Sequence, residues 1–206
     1  MTPPDSGACV YIVDDDDAVR SGLRLLLSSC GLVTQSFDSA RAFLDSVAVD
    51  ALGCLLLDVR MPGISGLELQ ERMEARGFQL PVILLTGHGD VPMAVRAMKR
   101  GAFDFIQKPF NDQYLLDRVQ QATQLSVDNA ERQRQQQIRR GRLAKLTSRE
   151  QAVLERLVSG QANKVIASEL GISERTVEVH RARVMEKMET RTLAQLIQLM
   201  ADLQRE

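Results

Sequence analysis

The sequence predicts an α/β domain built on a five-stranded parallel sheet, with a second, all-α domain behind it. Three observations predict this. Short apolar runs alternate with amphipathic helical patterns five times before about residue 125. Beyond that point only helical patterns remain, punctuated by Gly141, Gly160 and Gly171. The charge also splits: residues 1–125 carry 11 Lys/Arg against 16 Asp/Glu, net −5, and residues 126–206 carry 15 against 11, net +4, which together give −1. An acidic front and a basic back point to two domains with different partners, and the basic one favours a polyanion.

The strands and helices follow in order. Cys9–Val13 is a strand ending in the aspartates Asp14 to Asp17. Val19, Leu23, Leu26, Leu27 and Cys30 share one face of a helix that Gly31 stops. Leu32–Phe37 is a second strand and Ser39–Val47 a second helix. Cys54–Leu57 is a third strand ending at Asp58, followed by the turn Met61-Pro62-Gly63 and a helix, Leu67–Arg76, closed by Gly77. Pro81–Leu85 is a fourth strand ending at Thr86. Pro92 lies in the first turn of the next helix, which Gly101 stops. Phe103–Gln107 is a fifth strand ending at Lys108-Pro109, and the chain is helical again from Tyr114. Parallel strands buried on both faces explain the unbroken apolar runs. Right-handed crossovers leave 2-1-3-4-5 as the expected strand order.

Composition excludes several classes. With 44% hydrophobic and 26% charged residues the chain is an ordinary folded protein. No apolar run approaches the ~18 residues of a membrane span, and the start MTPPDSGA has neither the basic nor the apolar part of a signal peptide. Three cysteines, Cys9, Cys30 and Cys54, make no disulfide framework and are read as buried thiols of a cytoplasmic protein.

In an open α/β sheet ligands bind beyond the carboxyl ends of the strands. Four of the five strands deliver polar groups there: Asp14 and Asp15, Asp58, Thr86 and Lys108. Clustered carboxylates repel by ~4 kcal/mol per pair at 4 Å and an effective dielectric of 20, so they call for a cation. An oxygen-only, incomplete donor set favours Mg²⁺. A carboxylate, a hard cation, a lysine and a hydroxyl make a phosphoryl-transfer site, with Asp58 as nucleophile and Thr86 and Lys108 set against phosphoryl oxygens. Asp16 and Asp17 read as solvated residues, one of them a helix cap. A calcium loop fails: counted from Asp14, position 6 is Val19 and position 12 is Leu25.

Asp14-Asp15, Asp58 with Met61-Pro62-Gly63 behind it, Thr86-Gly87 and Lys108-Pro109 resemble the receiver domain of two-component response regulators over residues 8–125. The resemblance implies a flavodoxin-like (βα)₅ fold. It implies that Asp58 takes a phosphoryl group from a sensor histidine kinase, and that Asp14, Asp15, Asp58 and the backbone carbonyl of Arg60 hold Mg²⁺. It further implies a cis Lys108–Pro109 bond, a switch pairing Thr86 with Phe105, room for the phosphoryl group at Gly87, and tuning of its lifetime by Arg60 and His88.

Residues 126–142 read as a linker, helical in its first part and broken by Gly141, with a DNA-binding domain over 143–206. Thr147-Ser148-Arg149-Glu150 is a capping box that opens a helix with Val153, Leu154, Leu157 and Val158 on its apolar face. A short helix Lys164–Leu170, a turn at Gly171 and a basic helix Glu174–Met188 capped by Ser173 form a helix-turn-helix pattern. Leu146-Thr147, Arg149-Glu150, Gly160, Asn163-Lys164, Ile166-Ala167, Ser173, Thr176-Val177 and His180 resemble the LuxR-type DNA-binding domain. The resemblance places Glu178, Val179 and Ala182 at base edges. Many relatives carry lysine where this chain has Glu178, which suits a hydrogen bond from cytosine. Arg175, Arg181, Arg183 and Lys187 are read as phosphate contacts, with Lys164, Ser173 and Thr176 beside them; His180 is divided between phosphate contact and packing. Leu193, Leu196, Ile197, Met200 and Leu203 share one side of a last helix and are read first as buried in the chain's own small domain; the family also uses this helix to dimerise, which would suit double-stranded DNA with an inverted repeat.

The whole chain resembles the FixJ/NarL class of response regulators and leans to the FixJ branch through Val10 to Asp15, Thr86 to Pro92 and Lys108-Pro109-Phe110. It is expected to be a transcription regulator, an activator working with RNA polymerase, that dimerises on phosphorylation, and not an enzyme. Aspartate-based phosphohydrolases often place Asp-x-Asp after a strand, whereas here Val59-Arg60 follow Asp58 and no second acid is available. A regulator indifferent to phosphorylation, with the first domain only dimerising, is the remaining alternative.

Overall fold

A computed structural model describes residues 7–87 and 91–204; His88 lies outside the described residues. The chain divides into two compact units, the first ending at Ala130 and the second beginning at Glu131.

The first unit runs β1 (Cys9–Val13), α1 (Asp17–Ser29), β2 (Thr34–Phe37), α2 (Ala40–Ser46), β3 (Gly53–Asp58), α3 (Gly66–Arg76), β4 (Val82–Thr86), α4 (Val91–Lys99), β5 (Asp104–Gln107) and the first part of α5 (Asp112–Ala144). All four strand pairings are parallel and the order is β2-β1-β3-β4-β5, as the alternation predicts. Side chains alternate across the sheet, so each central strand feeds two cores. Tyr11, Val13, Leu55, Leu57 and Leu84 pack with Phe43, Leu69 and Met73 on one face. Val10, Ile12, Cys54, Leu56, Ile83 and Leu85 pack with Leu23, Leu27, Leu115 and Val119 on the other. Burying such side chains yields roughly 1.5–3 kcal/mol each, which pins the strand ends where the polar residues begin.

Helix boundaries follow local chemistry. Asp16 caps α1 by accepting from the Ala18 amide at 2.8 Å. Ser65 caps α3 through the Glu68 amide, and Gly77 ends it in the left-handed conformation. Gly66 allows α3 to start against the end of β3: a Cβ there would sit 2.2 Å from the Asp58 carbonyl oxygen and 3.0 Å from the Val59 Cα. Backbone would have to move, so Gly66→Ala is expected to destabilise the first unit by about 2 kcal/mol in urea unfolding. An unchanged midpoint would show that the β3–α3 junction yields freely.

The cysteines differ from the buried set that the apolar runs predict. Cys54 is buried, Cys9 is half-buried and Cys30 is exposed. Cys30 follows the last residue of α1 as its C-cap and no longer has helical backbone geometry. Burial pushes the Cys54 thiol up to about 12, against a hydrogen bond from Thr123 that acts to lower it, so it is an inert core residue.

The second unit contains the remainder of α5, then α6 (Ser148–Val158), α7 (Asn163–Leu170), α8 (Glu174–Lys187) and α9 (Leu193–Gln204). The expected break at Gly141 is absent, and α5 continues to Ala144. A helical glycine costs about 1 kcal/mol relative to alanine, and anchoring on both sides offsets that. Arg139 pairs with Asp202, Arg142 pairs with Glu189, and Leu143 packs against the cluster of Leu146, Leu154, Val184, Met188 and Leu196. A second cluster, Val153, Leu157, Ile166, Ala167 and Val177, joins α6, α7 and α8. The capping box forms as predicted, Thr147 and Glu150 each accepting from the other's backbone amide. Gly171 takes the left-handed conformation (φ 66°) that ends α7, and Ser173 caps α8.

Candidate functional site

The C-terminal edge of the sheet gathers Asp14, Asp58, Thr86 and Lys108. Asp14 immediately follows β1, Asp58 ends β3, Thr86 ends β4 and Lys108 follows β5, so the parallel topology alone brings them to one edge. Asp14, Asp58 and Thr86 are buried. The Lys108 ammonium bridges the two carboxylates, with Nζ 2.6 Å from Asp14 Oδ2 and 2.7 Å from Asp58 Oδ1. The remaining oxygens accept backbone amides: Asp16 N–H to Asp14 Oδ1 at 2.9 Å and Arg60 N–H to Asp58 Oδ2 at 2.7 Å. Burial acts to lower the Lys108 pKa, but its hydrogen bonds and charge attraction to Asp14 and Asp58 prevail, so it is raised and the ammonium stays charged. The strand-end carboxylates are thus held by one cation and two amides rather than left to repel.

The structure brings Asp14, Asp58 and Lys108 into direct contact. Thr86 lies beside them at the end of β4, its carbonyl accepting the Lys108 amide at 2.6 Å. Asp15 and Arg60 are exposed at the mouth of the edge. Both line a shallow cleft of about 560 Å³ with Val59, Met61, Pro62, Ser65, Leu67 and Met93. Phe105 is half-buried against the core face that carries Leu84, and the Lys108–Pro109 bond is cis. Receiver domains typically bind Mg²⁺ at this position, and the donor chemistry fits. The donors are all oxygen, and each Asp14 and Asp58 oxygen keeps acceptor capacity beyond its one hydrogen bond. Among the described residues no three acidic, His or Cys side chains are gathered closely enough to hold an ion unaided.

Sequence reasoning missed Arg20. It reaches from α1 to the Asp14 carbonyl (Nη1, 2.7 Å) and the Asp17 carboxylate (Nη2, 2.8 Å). An arginine on the polar side of an amphipathic helix carries no signal of such a contact.

In the second unit, α8 presents Arg175, Glu178, Val179, Ala182 and Arg183 to solvent, while Val177 and Val184 are buried. These exposed positions recur at three and four residues, one stripe of the helix. Val179 is 46% exposed, an apolar residue left outside while its neighbours fill the core. Lys164 is exposed at the start of α7, and Arg181 is half-buried. Ser173 and Thr176 face one another, their hydroxyl oxygens 2.8 Å apart, with the Thr176 amide donating to Ser173 Oγ at 3.1 Å. His180 is half-buried and its Nδ1 has no hydrogen-bond partner. Lys187 requires a correction. Its Nζ lies 2.6 Å from the buried Glu150 carboxylate and 3.1 Å from the Lys145 carbonyl, which makes it an internal tie of α8 to the start of α6. Counting charge along the helix could not reveal this, because the partner lies 37 residues away.

Comparison with known proteins agrees with this geometry. Residues 10–120 match the model of the response regulator receiver domain, and residues 144–200 that of the bacterial regulatory proteins of the luxR family. The chain is 51% identical over 190 residues to the transcriptional regulatory protein FixJ of Azorhizobium caulinodans, covering 92% of this chain and 90% of that protein. It is 45% identical to nodulation protein W of Bradyrhizobium diazoefficiens, covering 96% and 87%. A solved structure of the response regulator StyR superposes with a TM-score of 0.90 at 46% identity, covering 95% of this chain and 99% of that one. The chain belongs to the response regulators that join a receiver domain to a LuxR-type helix-turn-helix domain, and it is a phosphorylation-controlled two-component transcription regulator of the FixJ kind.

Proposed function

We infer that Asp58 accepts a phosphoryl group from a sensor histidine kinase and that this promotes dimerisation and DNA binding. One observation carries the reading: a single ammonium, that of Lys108, bridges two buried carboxylates at the sheet's C-terminal edge. Asp58 Oδ attacks phosphorus as the phosphorus–nitrogen bond of the kinase phosphohistidine breaks, and the histidine leaves with that electron pair. Lys108 then offers its charge to the new phosphoryl oxygens and the Thr86 hydroxyl donates to one of them. Asp14, Asp15, Asp58 and the Arg60 carbonyl would hold Mg²⁺, which would supply charge neutralisation when bound. Inward movement of Thr86 draws Phe105 with it, and the surface of α4, β5 and the first part of α5 pairs with a second copy. Val95 and Met98, each 47% exposed on α4, leave apolar area for that contact.

In this reading residues 8–125 receive the signal, 126–142 form a helical connection and 143–206 bind DNA, in the cytoplasm. Beyond its own phosphorylation chemistry the chain is not an enzyme. Arg175, Arg181 and Arg183, with Lys164, Ser173 and Thr176, hold the phosphate backbone, and His180 stands beside them. Glu178, Val179 and Ala182 meet base edges. A dimer would read an inverted repeat and present itself to RNA polymerase as an activator. Arg183→Ala is expected to weaken all sequences alike and lower the salt slope by about 1. Glu178→Ala is expected to relax preference at one base pair by about 1–3 kcal/mol. Binding-site selection across salt concentrations checks both.

Moving a two-state equilibrium from 1:99 to 99:1 takes about 5.5 kcal/mol, which phosphorylation, dimer formation and DNA binding share. Light-scattering mass of the full chain with Mg²⁺ is expected to shift from monomer to dimer on adding beryllofluoride, a mimic of the phosphoryl group. An unchanged mass would contradict dimerisation as the output.

A further inference from the structure

The geometry points to Arg20 as a positioning residue that holds the acidic loop in the form that binds the cation; this rests on the Mg²⁺ reading of the pocket given above. The loop between β1 and α1 is only three residues long, Asp14 to Asp16, and is tied from within α1. Nη1 of Arg20 donates to the Asp14 carbonyl at 2.7 Å, and Nη2 donates to Asp17 Oδ1 at 2.8 Å. That carbonyl belongs to the peptide joining Asp14 to Asp15. Fixing its plane places the Asp15 nitrogen and Cα, and with the next peptide held as well, little freedom is left in the direction of the Asp15 Cα–Cβ bond. The Asp16 amide on Asp14 Oδ1 fixes the other side of the same turn. The Arg20 side chain is only 15% exposed while Asp17 is 83% exposed. The contact that matters is therefore the shielded one to the carbonyl, not the surface ion pair.

Arg20 is a cation a few bonds from a cation site, which makes the inference decidable by sign. If Arg20 acted only through its charge, it would repel Mg²⁺, and removing it would tighten binding. If it acts by fixing the loop, removing it loosens binding. Loss of a group that orients metal ligands typically costs 10-fold or more in affinity.

The experiment is an amide chemical-shift titration of the full chain with MgCl₂, for the native protein, Arg20→Ala, Arg20→Gln and Arg20→Lys. Acetyl phosphate labelling across the same Mg²⁺ range accompanies it. The Mg²⁺ dissociation constant is expected to rise about 10-fold in Arg20→Ala and to rise less in Arg20→Lys, which keeps the charge but lacks the fork. The labelling rate at saturating Mg²⁺ is expected to stay within about twofold of native, since a positioning residue shifts the Mg²⁺ dependence and not the ceiling. Unchanged or tighter binding in Arg20→Ala and Arg20→Gln overturns the inference. If Arg20→Ala does not fold, Arg20→Lys decides: weaker Mg²⁺ binding supports the inference and native affinity overturns it. Absence of Mg²⁺ binding in the native protein would instead overturn the reading of the pocket on which the inference rests.

Discussion

Asp58→Asn is expected to abolish stoichiometric phosphorylation by acetyl phosphate, followed by intact mass and by acid lability of the product. Asparagine preserves shape but offers an amide in place of the carboxylate nucleophile. Asp14 is not a substitute: it precedes α1 in the tied loop and shares the same lysine, so its carboxylate stays engaged with Lys108 and the Asp16 amide. The fold should survive. Lys108 keeps one carboxylate partner, and the strand ends stay anchored by Leu55, Leu56 and Leu57, all fully buried. Full labelling of the variant would remove Asp58 as the acceptor.

The second large effect lies in the DNA-binding unit. Glu150→Ala is expected to destabilise that unit by about 3 kcal/mol. The change removes the carboxylate that closes the capping box on the Thr147 amide at 2.8 Å, worth about 1 kcal/mol. It also removes a charge-assisted bond from Lys187 worth about 1.5–3 kcal/mol. Lys187 is 32% exposed, so its ammonium can turn to water and the loss stays below that of a fully buried pair. The same contact makes a pH prediction. The hydrogen bond from Lys187, with that of the Thr147 amide next, holds the Glu150 pKa at about 2, against roughly 4.3 in the unfolded chain. A depressed carboxylate stabilises above the unfolded value and loses that contribution as pH falls from there to the folded one. Stability of the second unit should therefore drop between about pH 4.3 and pH 2, and Glu150→Gln should flatten the curve in that window. A profile identical in the variant would remove Glu150 as the titrating group.

The fold was legible because it rests on local signals. Five alternations of apolar run and amphipathic helix, stopped by residues such as Gly31 and Gly77, define the layers, and parallel topology then places Asp14, Asp58, Thr86 and Lys108 on one edge. Contacts between charged residues distant in sequence were not legible. Glu150 carries a visible capping-box signature, but nothing local says that it also takes Lys187 out of the basic face of α8. Arg20 looks like any solvent-side arginine until the loop above it is built. Gly141 shows the converse: its local tendency to end a helix yields to Leu143 and two ion pairs that continue α5, and packing of that kind is invisible to periodicity. Cys30 has the spacing of the apolar face but stands one residue past the helix end, where spacing no longer determines direction.

The most direct test of phosphorylation control is the DNA affinity of the full chain, at one fixed salt concentration, with and without beryllofluoride in the presence of Mg²⁺, for native protein and Asp58→Asn. The native protein is expected to bind at least about 10-fold tighter with beryllofluoride, and Asp58→Asn to show no change. Equal affinity of the native protein in both states would contradict control of the helix-turn-helix domain through Asp58.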